Sequence, residues 1–67
     1  MNIRLNSEPV TLEGESMTVS ALLELKRYTF RLRIVKINGR LIDRDKYDAE
    51  VINNGDEVQV IYLMSGG

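Results

Sequence analysis

Only one stretch of this 67-residue chain has the period of a helix. From Val19 onward the apolar residues Val19, Leu22 and Leu23 fall at the i, i+3, i+4 spacing of one helical face, with Leu25 beside them. Thr18 is a good N-cap, because its hydroxyl accepts from an orphan N–H of the first turn, and Met17 before it is placed to pack on Leu22. Lys26 and Arg27 suit the negative end of the helix dipole, and the β-prone Tyr28-Thr29-Phe30 puts the helix end near Arg27. A single helix covers one face of one sheet. The remainder of so short a chain must therefore supply that sheet and its turns.

The strand-like segments lie on either side of it. Met1 to Asn6 alternates apolar and polar residues with Ile3 and Leu5 inward, Asn6-Ser7-Glu8 supplies a turn, and Val10-Thr11-Leu12 resumes the alternation. Pro9 has no N–H to donate and belongs at the start or open edge of that second strand. Glu13 to Ser16 reads as a loop. After the helix, Arg31 to Ile37 is strand again, Asn38-Gly39 is the strongest hairpin signal in the chain, and Leu41-Ile42 returns. Asp43 to Tyr47 reads as a polar helical turn capped by Asp43. Asn53-Asn54-Gly55-Asp56 is a second turn, feeding a last strand from Glu57 to Met64. The order is hairpin, helix, hairpin, irregular crossover, final strand. With the last strand beside the first, the expectation is an α+β fold: a β-grasp, one mixed sheet with one main helix on one face.

Composition excludes several functions. There is no cysteine and no histidine, which removes disulfides, thiolate nucleophiles and Cys/His metal sites. Nine basic and ten acidic residues give a net charge of −1, against a nucleic-acid partner. The basic residues between Lys26 and Lys46 are interspersed with Asp43 and Asp45 and read as a solvated surface. No stretch approaches the ~20 consecutive apolar residues of a membrane span, so the expected location is the cytoplasm, as a monomer with no membrane contact. Asp43, Asp45, Asp48 and Glu50 lie in the polar connection, where solvated charge explains them better than a catalytic pair.

Lys36 and Gln59 do not belong beneath a helix, which fixes the faces of their strands. The expected core is Ile3, Leu5, Val19, Leu22, Leu23, Val35, Ile37, Val58 and Val60. The same alternation turns Ile34, Ile61 and Leu63 to the other face, for which no covering element remains. That exposed apolar row lies just upstream of Ser65-Gly66-Gly67. Glycine has no Cβ, so a Gly-Gly end passes a narrow channel and leaves its carboxylate unhindered on both sides. It suits presentation to another protein's active site, although on its own the pair also fits a frayed terminus.

Four pieces together carry a resemblance. They are Thr18-Val19-Ser20-Ala21-Leu22-Leu23 opening the helix, Val35-Lys36-Ile37-Asn38-Gly39-Arg40 at the second hairpin, Asn54-Gly55-Asp56-Glu57-Val58 before the last strand, and Gly66-Gly67. In this order the chain resembles the ThiS-type sulfur carriers (the ThiS/MoaD family), small ubiquitin-like proteins of thiamin thiazole biosynthesis. The resemblance implies a single ubiquitin-like β-grasp domain over residues 1–67, with a flexible tail from about residue 64. It implies that an E1-like adenylyltransferase (ThiF type) uses ATP to adenylate the carboxylate of Gly67. A sulfur-donor enzyme then converts it to a covalent thiocarboxylate, which gives its sulfur to thiazole synthase (ThiG type). Gly67 is then the carrier site, Gly66 and Ser65 the tail that reaches into the partner, and Ile34, Ile61 and Leu63 the docking residues. No cofactor or metal is expected to stay bound, and this chain is not expected to be the enzyme. The small subunit of molybdopterin synthase shares the fold, tail and chemistry. A ubiquitin-like modifier or a pure interaction module would also use this architecture.

Overall fold

The computed structural model describes residues 1–27 and 33–62. Within them, β1 (Asn2–Leu5), β2 (Glu8–Thr11), β4 (Arg33–Ile37), β5 (Arg40–Ile42) and β7 (Glu57–Tyr62) form a five-stranded sheet in the order β2-β1-β7-β4-β5. The final strand runs parallel to β1 and lies in the middle, with β4 antiparallel on its other side. This is the mixed sheet of a β-grasp, with the helix α1 (Val19–Leu25) on one face.

Both hairpins of this sheet close through two left-handed residues, the geometry whose twist matches that of paired strands. Asn38 and Gly39 have φ of 52° and 83° between the paired Ile37 and Arg40. Asn6 and Ser7, at 51° and 70°, do the same between Leu5 and Glu8, so Glu8 opens β2 rather than belonging to the turn. Asn6 has a second use. Its N–H donates to the Val58 carbonyl at 2.9 Å and its Oδ1 accepts from the Val60 N–H at 2.8 Å, so the turn extends the β1–β7 ladder. Pro9 sits on β2, an edge strand of the sheet, where a missing donor costs no ladder bond.

The helix starts as its sequence requires, with Thr18 Oγ1 accepting from the Ala21 N–H at 3.1 Å. It ends at Leu25: Lys26 is the C-cap and Arg27 follows with φ 56°, so both cations lie just beyond the last helical turn. Leu25 does not share the buried face. It is 57% exposed, because it lies about 120° round the helix from Val19.

All nine expected core residues are buried, and Leu12, Ile42, Tyr47 and Ile52 join them. Two of these four, Tyr47 and Ile52, come from the stretch expected to be an irregular crossover. Ser16–Thr18 is a strand, β3, paired antiparallel with β6 (Val51–Asn53) in a separate two-stranded ribbon, in which Met17 faces Ile52. Arg44–Lys46 is a single 3-10 turn with Asp43 at its N-cap, but the Asp43 side chain makes no capping bond; the Asp43 carbonyl accepts from Lys46 N–H instead. Nor is that turn wholly polar, since Tyr47 at its end is buried beneath the guanidinium of Arg33, 5.6 Å from the ring centroid. The expected residues 28–32, including the start of the strand at Arg31, and Leu63, Ser65, Gly66 and Gly67 lie outside the described residues.

Candidate functional site

β7 carries the chain out of the middle of the sheet toward residues 63–67, so the site begins where β7 ends. Ile61 on β7 and Ile34 on β4 are paired in register on the face away from the helix. Ile61 is 40% exposed and Ile34 partly so, whereas Val35, Val58 and Val60, on the opposite alternation, are buried. The structure therefore brings together the two described members of the expected docking row. On the helix side of the same end, Arg33 pairs with Tyr62 and covers Tyr47.

Sequence reasoning missed Leu41. It pairs with Lys36, whose own partner on β7 is Gln59, so all three share the face of Ile34 and Ile61. At 58% exposed, Leu41 is more open than Ile61. The signal was available, since Leu41 follows a two-residue turn that fixes the register of β5 against β4.

The two turn motifs lie at the other pole. Asn38 Nδ2 donates to Asp56 Oδ1 at 3.1 Å, Asn38 Oδ1 accepts from the Glu57 N–H at 2.9 Å, and the Asn38 N–H donates to the Glu57 carbonyl at 2.7 Å. Asp56 Oδ2 accepts from Asn53 N–H at 2.9 Å, while Asn54 Oδ1 accepts from Asn2 N–H at 2.7 Å. This polar clasp sits at the start of β7, about 17 Å along the strand from Tyr62. Its residues hold the turns of the sheet together.

The carboxylates of the connection are spread among structural partners. Asp48 accepts from the Ser20 hydroxyl, and Glu50 pairs with Arg40 at 3.3 Å. Among the described residues, no group of three His, Cys, Asp or Glu is placed to hold a metal ion, and no helix is long and apolar enough to cross a membrane. What the arrangement offers chemically is an apolar strand pair upstream of a glycine-ended chain.

Comparison with known proteins bears on that arrangement. The ThiS family model matches residues 3–67, which takes in Gly66 and Gly67. A crystal structure of a thiamine biosynthesis protein (ThiS) from Geobacter metallireducens superposes with a TM-score of 0.87 at 38% identity, over 100% of both chains. A solution structure of a thiamine biosynthesis protein from Geobacter metallireducens gives 0.80 at 34% identity, covering 100% of this chain and 88% of that one. No curated protein matches the chain.

Proposed function

The chain belongs to the ThiS family, and from that premise we propose that it carries sulfur on the carboxylate of Gly67 for the thiazole branch of thiamin synthesis. A sulfur-carrier role is what the family and the two thiamine biosynthesis structures support. The observation that carries the finer reading is that the family match runs through Gly66-Gly67, directly downstream of the paired Ile34 and Ile61.

The chemistry divides between this chain and its partners. A free carboxylate is a poor electrophile, so an E1-like enzyme of the ThiF type first joins it to AMP, releasing pyrophosphate from ATP. Sulfide-level sulfur (HS−) released by the donor enzyme attacks the acyl carbon, the C–O bond to the phosphate breaks, and AMP departs. The resulting thiocarboxylate holds most of its charge on sulfur and passes that sulfur to a thiazole synthase of the ThiG type in the cytoplasm. Thiazole rather than molybdopterin synthesis is favoured because both similar structures are described as thiamine biosynthesis proteins. This chain contributes the acyl group, glycines that fit a channel too narrow for a Cβ, and the apolar face that aims them. ATP is used by the partner and no cofactor resides on the carrier.

Intact-mass analysis tests the reading. Wild-type protein incubated with the activating enzyme, ATP and a sulfur donor gains the mass of one oxygen-to-sulfur exchange. Protein extended beyond Gly67, or carrying Gly67→Trp, keeps its melting temperature and gains nothing. An extended protein that still exchanges oxygen for sulfur removes Gly67 as the carrier.

A further inference from the structure

The open face of the sheet has a charge pattern that the apolar row alone does not reveal. Two rungs cross it. The rung nearer the end of β7 is Ile61–Ile34, and behind it runs Gln59–Lys36–Leu41 across β7, β4 and β5. Lys36 is half-buried and stands at the middle of the second rung, two residues along β4 from Ile34, diagonal to Ile61 and directly beside Leu41. Its cross-strand neighbours, Gln59 and Leu41, are uncharged; the one carboxylate diagonal to it on this face, Glu57, is in register with Arg4, and among the described residues Lys36 forms no ion pair.

The other outward cation among the described residues of the sheet is provided for differently. Arg4 pairs in register with Glu57 on β7, and its guanidinium donates to the Ser7 carbonyl at 2.9 Å. Lys36 has neither kind of support. In the free protein water solvates it. Once a partner covers Ile34, Ile61 and Leu41, that water is displaced, and an ammonium left without a counter-charge opposes association. A carboxylate opposite Lys36 turns the same group into a selective contact, because partners that lack one are rejected.

Resting on the carrier function above, we propose that Lys36 is the specificity-determining residue of the docking face and Leu41 its outer apolar contact. The occupant is the protein that receives the tail, and it presents a carboxylate set in an apolar bed. A half-buried cation flanked by three aliphatic side chains, with Arg4 the one other cation on this face among the described residues, matches such a protein surface. Adhesion to anionic lipid instead draws on several cations spread over one face.

The test measures affinity for the activating enzyme by calorimetry at low and high salt, with thermal melts and sulfur loading run on the same samples. Lys36→Glu is expected to weaken binding about 100-fold, and Lys36→Met about 10-fold with a loss of salt dependence, both with unchanged melts. Leu41→Ser is expected to weaken binding about 10-fold at either salt concentration. Lys36→Glu binding within twofold of wild type, while wild type binds and loads normally, overturns this inference and leaves the carrier function standing. Wild-type protein that is neither bound nor loaded overturns both. Lys36-dependent adhesion to phosphatidylserine vesicles, with no effect of Lys36→Glu on enzyme binding, identifies a lipid surface as the occupant and refutes the protein one.

Discussion

Asn38 and Asp56 hold two turns together that are far apart in sequence: Asn38 Nδ2 donates to Asp56 Oδ1 across 3.1 Å. The first residue belongs to the turn between β4 and β5 and the second to the turn leading into β7, so the bond closes the clasp at the start of the central strand. It explains why the Asn-Gly and Asn-Gly-Asp pieces occur together in this chain. Asn is suited to position 38 on two counts, since it tolerates φ of 52° and its side chain offers a donor and an acceptor at once.

Substitution separates those two contributions. Asn38→Gly keeps the left-handed turn but loses both side-chain bonds, and is expected to cost about 1–2 kcal/mol. Asn38→Ala loses the bonds and also strains the backbone, and is expected to cost about 1 kcal/mol more. Urea unfolding of the two variants measures the difference. Equal stabilities show that the turn at residue 38 relaxes without penalty.

Ser7 holds φ of 70° in the hairpin between β1 and β2, and its side chain makes no hydrogen bond among the described residues. Glycine adopts that conformation without a Cβ clash, so Ser7→Gly is expected to stabilise the protein by about 0.5–1 kcal/mol. The Ser7 carbonyl still accepts from Arg4, because that bond uses the main chain. A thermal melt checks the direction, and a lower melting temperature shows that the extra freedom of glycine in the unfolded chain outweighs the relief.

Leu22 and Leu25 lie three residues apart on one short helix and have opposite environments. Leu22 is fully buried, whereas Leu25 is 57% exposed. Leu22→Ala is expected to cost about 2–5 kcal/mol, a large share of a small domain's stability, and Leu25→Ala less than about 0.5 kcal/mol. Denaturant midpoints for the pair decide it. Similar losses in both remove the helix orientation on which the core rests.

What was legible in the sequence was local. The N-cap at Thr18, the two hairpin turns and the alternation of Ile3, Leu5, Val35, Ile37, Val58 and Val60 each depend on residues within a few positions of one another. The ribbon of β3 and β6 was not legible, because each strand has three residues and Ser16 finds its partner only at Asn53. Alternation over three positions is too short to recognise a strand, although Ile52, fully buried between exposed Val51 and Asn53, follows it. Tyr47 was hidden by the charges around it, and its burial depends on Arg33 arriving from a distant strand. At the site, Ile34 and Ile61 were readable from alternation alone. Leu41 required knowing which residue of β5 faces Lys36.

Substitution at Ile61 separates the proposed docking role from folding most sharply. It is 40% exposed, on the face opposite the helix, and its registered partner is Ile34. Losing that cross-strand contact in Ile61→Asp is expected to cost at most about 1 kcal/mol of stability, since such pairs contribute roughly 0.2–1 kcal/mol. Placing a carboxylate in the apolar centre of an interface costs more, about 2 kcal/mol or above, or roughly 30-fold in affinity. The expected result is a variant that melts close to wild type yet binds the activating enzyme weakly and loads sulfur slowly at low carrier concentration. Raising the carrier concentration restores the loading rate, because the acyl group at Gly67 is unaltered and only the encounter is weakened. Calorimetry, a thermal melt and loading rates over a concentration series measure these three quantities. Wild-type affinity refutes the docking role of this face. A rate deficit that persists at saturation places Ile61 in the loading step itself, and a collapsed melt assigns it to the core.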